Sequence, residues 1–173
     1  MPELATLAAT EVVVRMGELA VSRAPGEVLT SVGLGSCIGL ALVCRRGRAC
    51  GLAHVMLPES AGRDAHDDPV GAARPGKYAD RAVPALLAGV GLLGARPTTL
   101  DAVVVGGAQM FPGSTGMEIG SRNEAAVRAQ LARAGVRVIA AATAGGLGRT
   151  IRVHVADGTV TVREAGAQEV TLR

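Results

Sequence analysis

The 173-residue sequence predicts an α+β fold. Three features point to it: many short segments of alternating apolar residues, two segments with helical spacing set among them, and a core restricted to small aliphatic side chains. Apolar residues make up 49% of the chain, yet there is one Phe (Phe111), one Tyr (Tyr78) and no Trp. Ala, Val, Leu and Ile must therefore fill the interior, and 24 glycines allow backbones to approach closely. The length fits one domain over residues 1–173, long enough to bury a core without disulfides or metal.

Alternation predicts strands at about 12–22, 28–32, 37–44 and 49–57, with Arg46-Gly47 as the turn between the last two. Residues 60–76 are polar and rich in Gly, Pro, Asp and Ala, which predicts a long surface loop. Over 77–93, Val83, Leu86, Leu87 and Val90 share one helical face, with Pro84 in the first turn or at a kink. Ser121 and Glu124 have capping-box spacing, and Val127, Leu131 and Ala134 continue a helix to about Gly135. Residues 100–106, 136–141, 150–156 and 159–164 read as strands, the last two joined by an Asp157-Gly158 hairpin turn. Two helices inserted among many strands should cover one side of a sheet or of a pair of sheets.

Composition narrows the function classes. A net charge of +3 spread along the chain, with 1% aromatics for base stacking, is a poor footprint for nucleic acid. Glu3 and Glu11 near the start, and the lack of an apolar run of bilayer length, predict a cytoplasmic protein without membrane insertion. Cys37, Cys44 and Cys50 are odd in number and lack CxxC spacing, which argues against a disulfide framework and a structural zinc site. No metal and no cofactor is expected.

Cys37 follows Gly33-Leu34-Gly35-Ser36, where a glycine-rich turn enters a strand, and the amides around Gly35 and Ser36 can form an oxyanion hole. If the Arg46-Gly47 hairpin has an even loop, Cys44 pairs with Ala49 and Gly39 with His54. Cys37 and Gly39 then share a face, and His54 lies diagonally from Cys37 at roughly 7–8 Å between backbones. Gly39 would leave room for the imidazole to lean across. An odd loop would send His54 to the far face. A neighbouring imidazolium or converging N–H dipoles would lower the thiol pKa from about 8.5, and His54 could protonate a leaving amine. The competing reading is packing, since free cysteines are among the most buried residues. Packing is the better explanation for Cys44 and Cys50, and His66 and His154 read as solvated or structural. Gly106-Gly107 ends a strand and Gly145-Gly146 precedes one, so these glycines either line a cleft or form ordinary tight turns.

With these residues in view, the chain resembles the chemoreceptor glutamine deamidase family, CheD, from about Gly17 to the last strand. The matching motifs, in order, are GLGSC (33–37), HVMLP (54–58), KYAD (77–80), GGAQMF (106–111), IGSRN (119–123) and GGLGRT (145–150). The resemblance implies that Cys37 is the nucleophile, His54 its partner, and Ser31 the hydroxyl that orients the imidazole, in place of the family's usual threonine. It implies a β-sandwich-like core of mixed or antiparallel sheets with two main helices packed on one side, similar to deamidating bacterial toxins. The activity implied is conversion of receptor glutamines to glutamate through a thioester, with receptor methylesterase activity as a second capability. The implied partners are methyl-accepting chemotaxis receptors and a CheC-type phosphatase that can mask a groove walled by the 60–76 loop. The alternatives are a weakly catalytic regulatory module for that phosphatase, and a cysteine hydrolase acting on a different amide.

Overall fold

Alternation in the first half of the chain produces five strands: Thr10–Val13 (β1), Leu19–Ser22 (β2), Glu27–Leu34 (β3), Ile38–Cys44 (β4) and Cys50–Val55 (β5). A short helix, Pro69–Ala73 (α1), precedes the longer Ala79–Leu92 (α2), and a 3-10 turn at Pro97–Thr99 leads into Leu100–Gly106 (β6). Helix Ile119–Arg133 (α3) is followed by Arg137–Thr143 (β7), Arg149–His154 (β8), Thr159–Glu164 (β9) and Val170–Thr171 (β10). These assignments come from a computed structural model, which describes residues 9–63, 66–111, 113 and 118–173. Glu3, and Asp64 and Ala65 of the 60–76 loop, lie outside the described residues.

Two five-stranded sheets form, ordered β1-β3-β8-β9-β10 and β2-β5-β4-β6-β7. Most neighbours are antiparallel, but β1 runs parallel to β3 and β6 parallel to β7. Side-chain alternation along β4 explains the layering. Ile38, Leu40 and Leu42 point out of the sandwich to meet Val83, Leu86 and Val90 of α2 and Val127 and Leu131 of α3. Ala41 and Val43 point inward to meet Leu29, Ile151, Val153 and Val160 of the other sheet. Every residue of β4, β5 and β6 is buried, as their nearly unbroken apolar sequences require for strands covered on both faces. The α+β sandwich with both main helices on one side agrees with the sequence expectation.

Three local expectations are corrected, and one of the two alternatives for Pro84 is removed. The single strand at 12–22 is two strands in different sheets, broken where Gly17 adopts φ 76°. The 60–76 stretch contains α1, nucleated where the Asp68 carboxylate accepts from Gly71 N at 2.9 Å. Pro84 is the sixth residue of α2, beyond the first turn, where it forfeits the bond to the Asp80 carbonyl. The Ser121 and Glu124 capping box does not form, because α3 has already started at Ile119. Ser121 Oγ donates back to Glu118 O at 3.0 Å, and Glu124 pairs with Arg128 at 2.8 Å.

Candidate active site

The β4–β5 hairpin has the even register: Gly39 pairs with His54, and Cys44 N donates to Ala49 O at 2.9 Å. Cys37 sits just before β4, half-buried, with its side chain against the inter-sheet core. His54 is 1% exposed and projects to the same side, between the two sheets. The space that Gly39 leaves is not taken by the imidazole. A methyl there would stand 2.7 Å from Leu34 Cδ1 and 3.0 Å from Ile151 Cγ2, so this glycine admits side chains of the opposite sheet.

Ser31, on the inward face of β3, meets His54 across the sandwich, with Oγ 2.8 Å from Nδ1. The same hydroxyl donates its single hydrogen to Val14 O at 2.9 Å, so toward the ring it can only accept. Nδ1 therefore carries the ring proton, and Nε2 presents a lone pair. Nε2 is buried and has no hydrogen-bond partner among the described residues. The backbone of His54 is held as well: its N donates to Glu18 O and its O accepts from Gly17 N, both at 3.0 Å. Thr30 is buried, 1% exposed, on the opposite face of β3 from Ser31.

Three successive carbonyls of the nucleophile loop are anchored. Gly35 O accepts from Ala108 N at 2.8 Å and Cys37 O from Gly107 N at 2.9 Å. Ser36 O accepts from Asn123 Nδ2 at 2.9 Å. Among the described residues, the amides of Ser36 and Cys37 have no acceptor. Gly106, at φ 109°, lies directly beneath the loop: a methyl there would stand 2.2 Å from Cys37 O. Gly107 and Gly145, with Gln109, Glu118, Ser121 and Ala144, line a neighbouring recess of about 260 Å³. Gly106 is thus packed under the nucleophile, Gly107 serves both places, and Gly145 lines the recess. Gly146 has only the Gln109 carbonyl within van der Waals reach of a would-be methyl, at 3.8 Å.

Sequence reasoning overlooked Asn123, which is 0% exposed. Its signal was a polar residue in the buried stripe of α3, at the same four-residue spacing as Val127 and Leu131. Arg149 was also overlooked. It pairs with Glu164 at 2.8 Å and donates to Ala144 O at 2.7 Å, tying the loop before β8 to the sandwich.

Burial dominates the electrostatics. It pushes the Cys37 thiol above its ordinary value and the His54 imidazole below its own, the latter only partly offset by the Val14 carbonyl and Glu18. Both shifts favour the thiol and the neutral imidazole over the ionised pair. Such a pair can move a proton from sulfur to Nε2 as the sulfur attacks. Among the described residues, no group of three or more His, Cys, Asp or Glu could hold a metal ion. No described helix is long and apolar enough to cross a membrane.

The chain matches the family model described as CheD chemotactic sensory transduction over residues 56–164, a segment that begins after Cys37 and His54. It is 40% identical over 152 residues to the probable chemoreceptor glutamine deamidase CheD of Methanococcus vannielii, covering 87% of this chain and 93% of that one. It is 38% identical over 157 residues to the chemoreceptor glutamine deamidase CheD of Thermotoga maritima, covering 91% and 94%. Among solved structures, Neisseria meningitidis protein NMB0706 overlaps at a TM-score of 0.46 with 11% identity, over 80% of this chain and 63% of that one. The match over most of the chain, at this level of identity to several curated relatives, places the protein in the CheD family.

Proposed function

We propose that this chain is a protein-glutamine deamidase that converts glutamine side chains of chemotaxis receptors to glutamate and releases ammonia. Its relatives carry that activity in their names. The observation that carries the residue assignment is the Ser31–His54 contact, which leaves Nε2 without a partner among the described residues, on the face that Cys37 shares.

In the proposed reaction, His54 Nε2 takes the Cys37 proton as sulfur bonds to the carboxamide carbon. The negative charge passes to the carboxamide oxygen, where the Ser36 and Cys37 amides receive it. The imidazolium then protonates the amide nitrogen, the carbon–nitrogen bond breaks, and ammonia leaves a thioester. Water loses a proton to Nε2 and attacks the thioester carbon. The carbon–sulfur bond breaks, Cys37 recovers the proton, and glutamate is released. A methyl ester would follow the same course with methanol as the leaving group.

The mouth of the site suits a protein substrate. Val32, Met110, Phe111 and Leu147 expose 58%, 42%, 76% and 49% of their surface at the loops around Cys37. A groove of about 270 Å³ runs between Leu57, Pro58, Glu59, Ala61 and Arg63 and the start of α3. The early part of the 60–76 loop therefore supplies a wall. A receptor helix would lie across this rim, and a CheC-type phosphatase covering the same rim would compete with it.

The test is ammonia release from a purified receptor cytoplasmic fragment. Wild type should convert specific glutamines to glutamate, visible by mass spectrometry, and Cys37→Ala should convert none. Conversion by Cys37→Ala, or none by wild type, would end the proposal.

A further inference from the structure

We infer that Asn123 is a positioning residue for the oxyanion hole: it locks the Ser36–Cys37 peptide so that the Cys37 amide faces the reacting oxygen. This rests on the deamidase proposal above.

Asn123 reaches the site from the buried stripe of α3 and spends both side-chain hydrogens there. Nδ2 donates to Ser36 O at 2.9 Å and to Met56 O at 2.9 Å. The β4–β5 ladder ends at the Ile38–Val55 pair, and one step further Cys37 would stand opposite Met56. Beyond that last rung, the Asn123 amide joins the two strands, linking the residue before the nucleophile to the second residue after the base. Its Oδ1 is buried without a partner among the described residues, so no competing hydrogen bond from them turns the side chain. The Nδ2 assignment follows from the two carbonyls, which only an N–H can satisfy.

The consequence follows from peptide geometry. In a trans peptide, N–H points away from the carbonyl of the same unit. With Ser36 O turned toward Asn123, the Cys37 N–H must point to the opposite side. With Gly35 O turned toward Ala108, the Ser36 N–H likewise points away from the protein backbone that anchors it. Gly107 closes the set by fixing Cys37 O. Of the three anchors, two are main-chain amides, of Ala108 and Gly107. Asn123 is the one side-chain donor among them, and Gly120, one turn earlier in α3, permits its approach: a methyl there would stand 2.6 Å from Gly107 O.

The test uses Asn123→Asp, which keeps the shape but replaces the donor with an acceptor, and Asn123→Ser, which removes the reach. Ammonia release from a receptor cytoplasmic fragment is normalised to the thiol that iodoacetamide titrates, since Cys44 and Cys50 are 8% and 0% exposed. For both variants, kcat per titratable Cys37 should fall by roughly 10²–10³, the usual loss of an oxyanion donor. KM should stay within about threefold, and in Asn123→Ser, which adds no charge beside the thiol, the pH midpoint of alkylation should not move. A role confined to folding would release Cys44 and Cys50 to the reagent, raising the count above one thiol per chain, and would leave kcat unchanged per chain with a single reactive thiol; that result would overturn the inference. So would a shifted alkylation midpoint in Asn123→Ser, which would place Asn123 in nucleophile activation. If wild type releases no ammonia, the deamidase proposal fails and this inference with it. Active wild type with fully active variants sinks the Asn123 inference alone.

Discussion

Ser31 Oγ accepts from His54 Nδ1 at 2.8 Å while donating to Val14 O at 2.9 Å, a relay that fixes both the tautomer and the tilt of a buried imidazole. Ser31→Ala removes the acceptor for Nδ1–H and the donor for Val14 O. An unheld ring loses part of the roughly 10²–10⁴-fold that positioned proton transfer contributes. The expected outcome is a kcat at least about tenfold lower with KM little changed. Ser31→Thr retains the hydroxyl and adds a methyl that restricts its rotamer, so it should match or exceed wild type. Steady-state ammonia release checks both, and full activity in Ser31→Ala would remove Ser31 from the site.

The proton economy of the pair sets the pH profile. His54 must be neutral to accept the thiol proton, and burial holds its pKa below 6.5. Deamidation should therefore rise with pH through a midpoint below 6.5 and reach its plateau by neutrality. Cys37 titrates above 9.0, so iodoacetamide alkylation should still be rising at pH 9. The same shift of His54 acts on stability. Because the folded pKa lies below the unfolded one, the unfolded chain binds more protons between the two values. The His54 contribution is complete above the unfolded value and is lost as pH falls toward the folded one. His54→Gln should flatten that part of the urea-midpoint profile and abolish the activity limb. A deamidation midpoint above 7 would contradict the assignment.

What the sequence could reveal divides along physical lines. β6 and β9 were bounded to the residue, because a strand covered on both faces reads as a nearly continuous apolar run and the Asp157-Gly158 turn marks the start of β9. One turn and the two-residue period narrowed the hairpin to two registers, and the structure has the even one, which pairs Gly39 with His54. The split of 12–22 was not, because alternation reports which face a residue occupies and not which sheet it joins. The partner of Ser31 was equally hidden: β3 and β5 lie in different sheets, and no local spacing measures a distance between sheets, so only family resemblance pointed there. Helix α1 depends on an aspartate whose other partners, Lys77 and Tyr78, follow nine and ten residues later.

Gly39 offers a packing test separate from chemistry. The Cβ of an alanine would meet Leu34 and Ile151, both 0% exposed and enclosed by the inter-sheet core, so neither can swing away freely. Overpacking of this kind costs about 1–3 kcal/mol. Gly39→Ala should lower the urea midpoint accordingly without changing the slope, and kcat per folded molecule should stay within a few-fold because the imidazole does not use that space. A neutral effect on stability would mean that the two sheets part more easily than their packing indicates.

The Asp68 carboxylate gathers the 60–76 segment by accepting from the Tyr78 hydroxyl, from Lys77 Nζ at 2.9 Å and from Gly71 N at 2.9 Å. Those donors, led by the Tyr78 hydroxyl, hold its pKa far below the usual carboxylate range. Its contribution is therefore complete above the unfolded value of about 3.8 and is lost only in stronger acid. Asp68→Asn keeps the shape but weakens the attraction for Lys77 and cannot accept equally from all three donors. Since α1 is only five residues long and has little propensity of its own, the segment should open locally while the sandwich stays folded. Limited proteolysis should then cut within 66–76 roughly several-fold faster than in wild type, with the global urea midpoint little changed. Equal cleavage rates would show that the Ser60–Asp80 contacts at 2.8–3.1 Å suffice to hold the loop without Asp68.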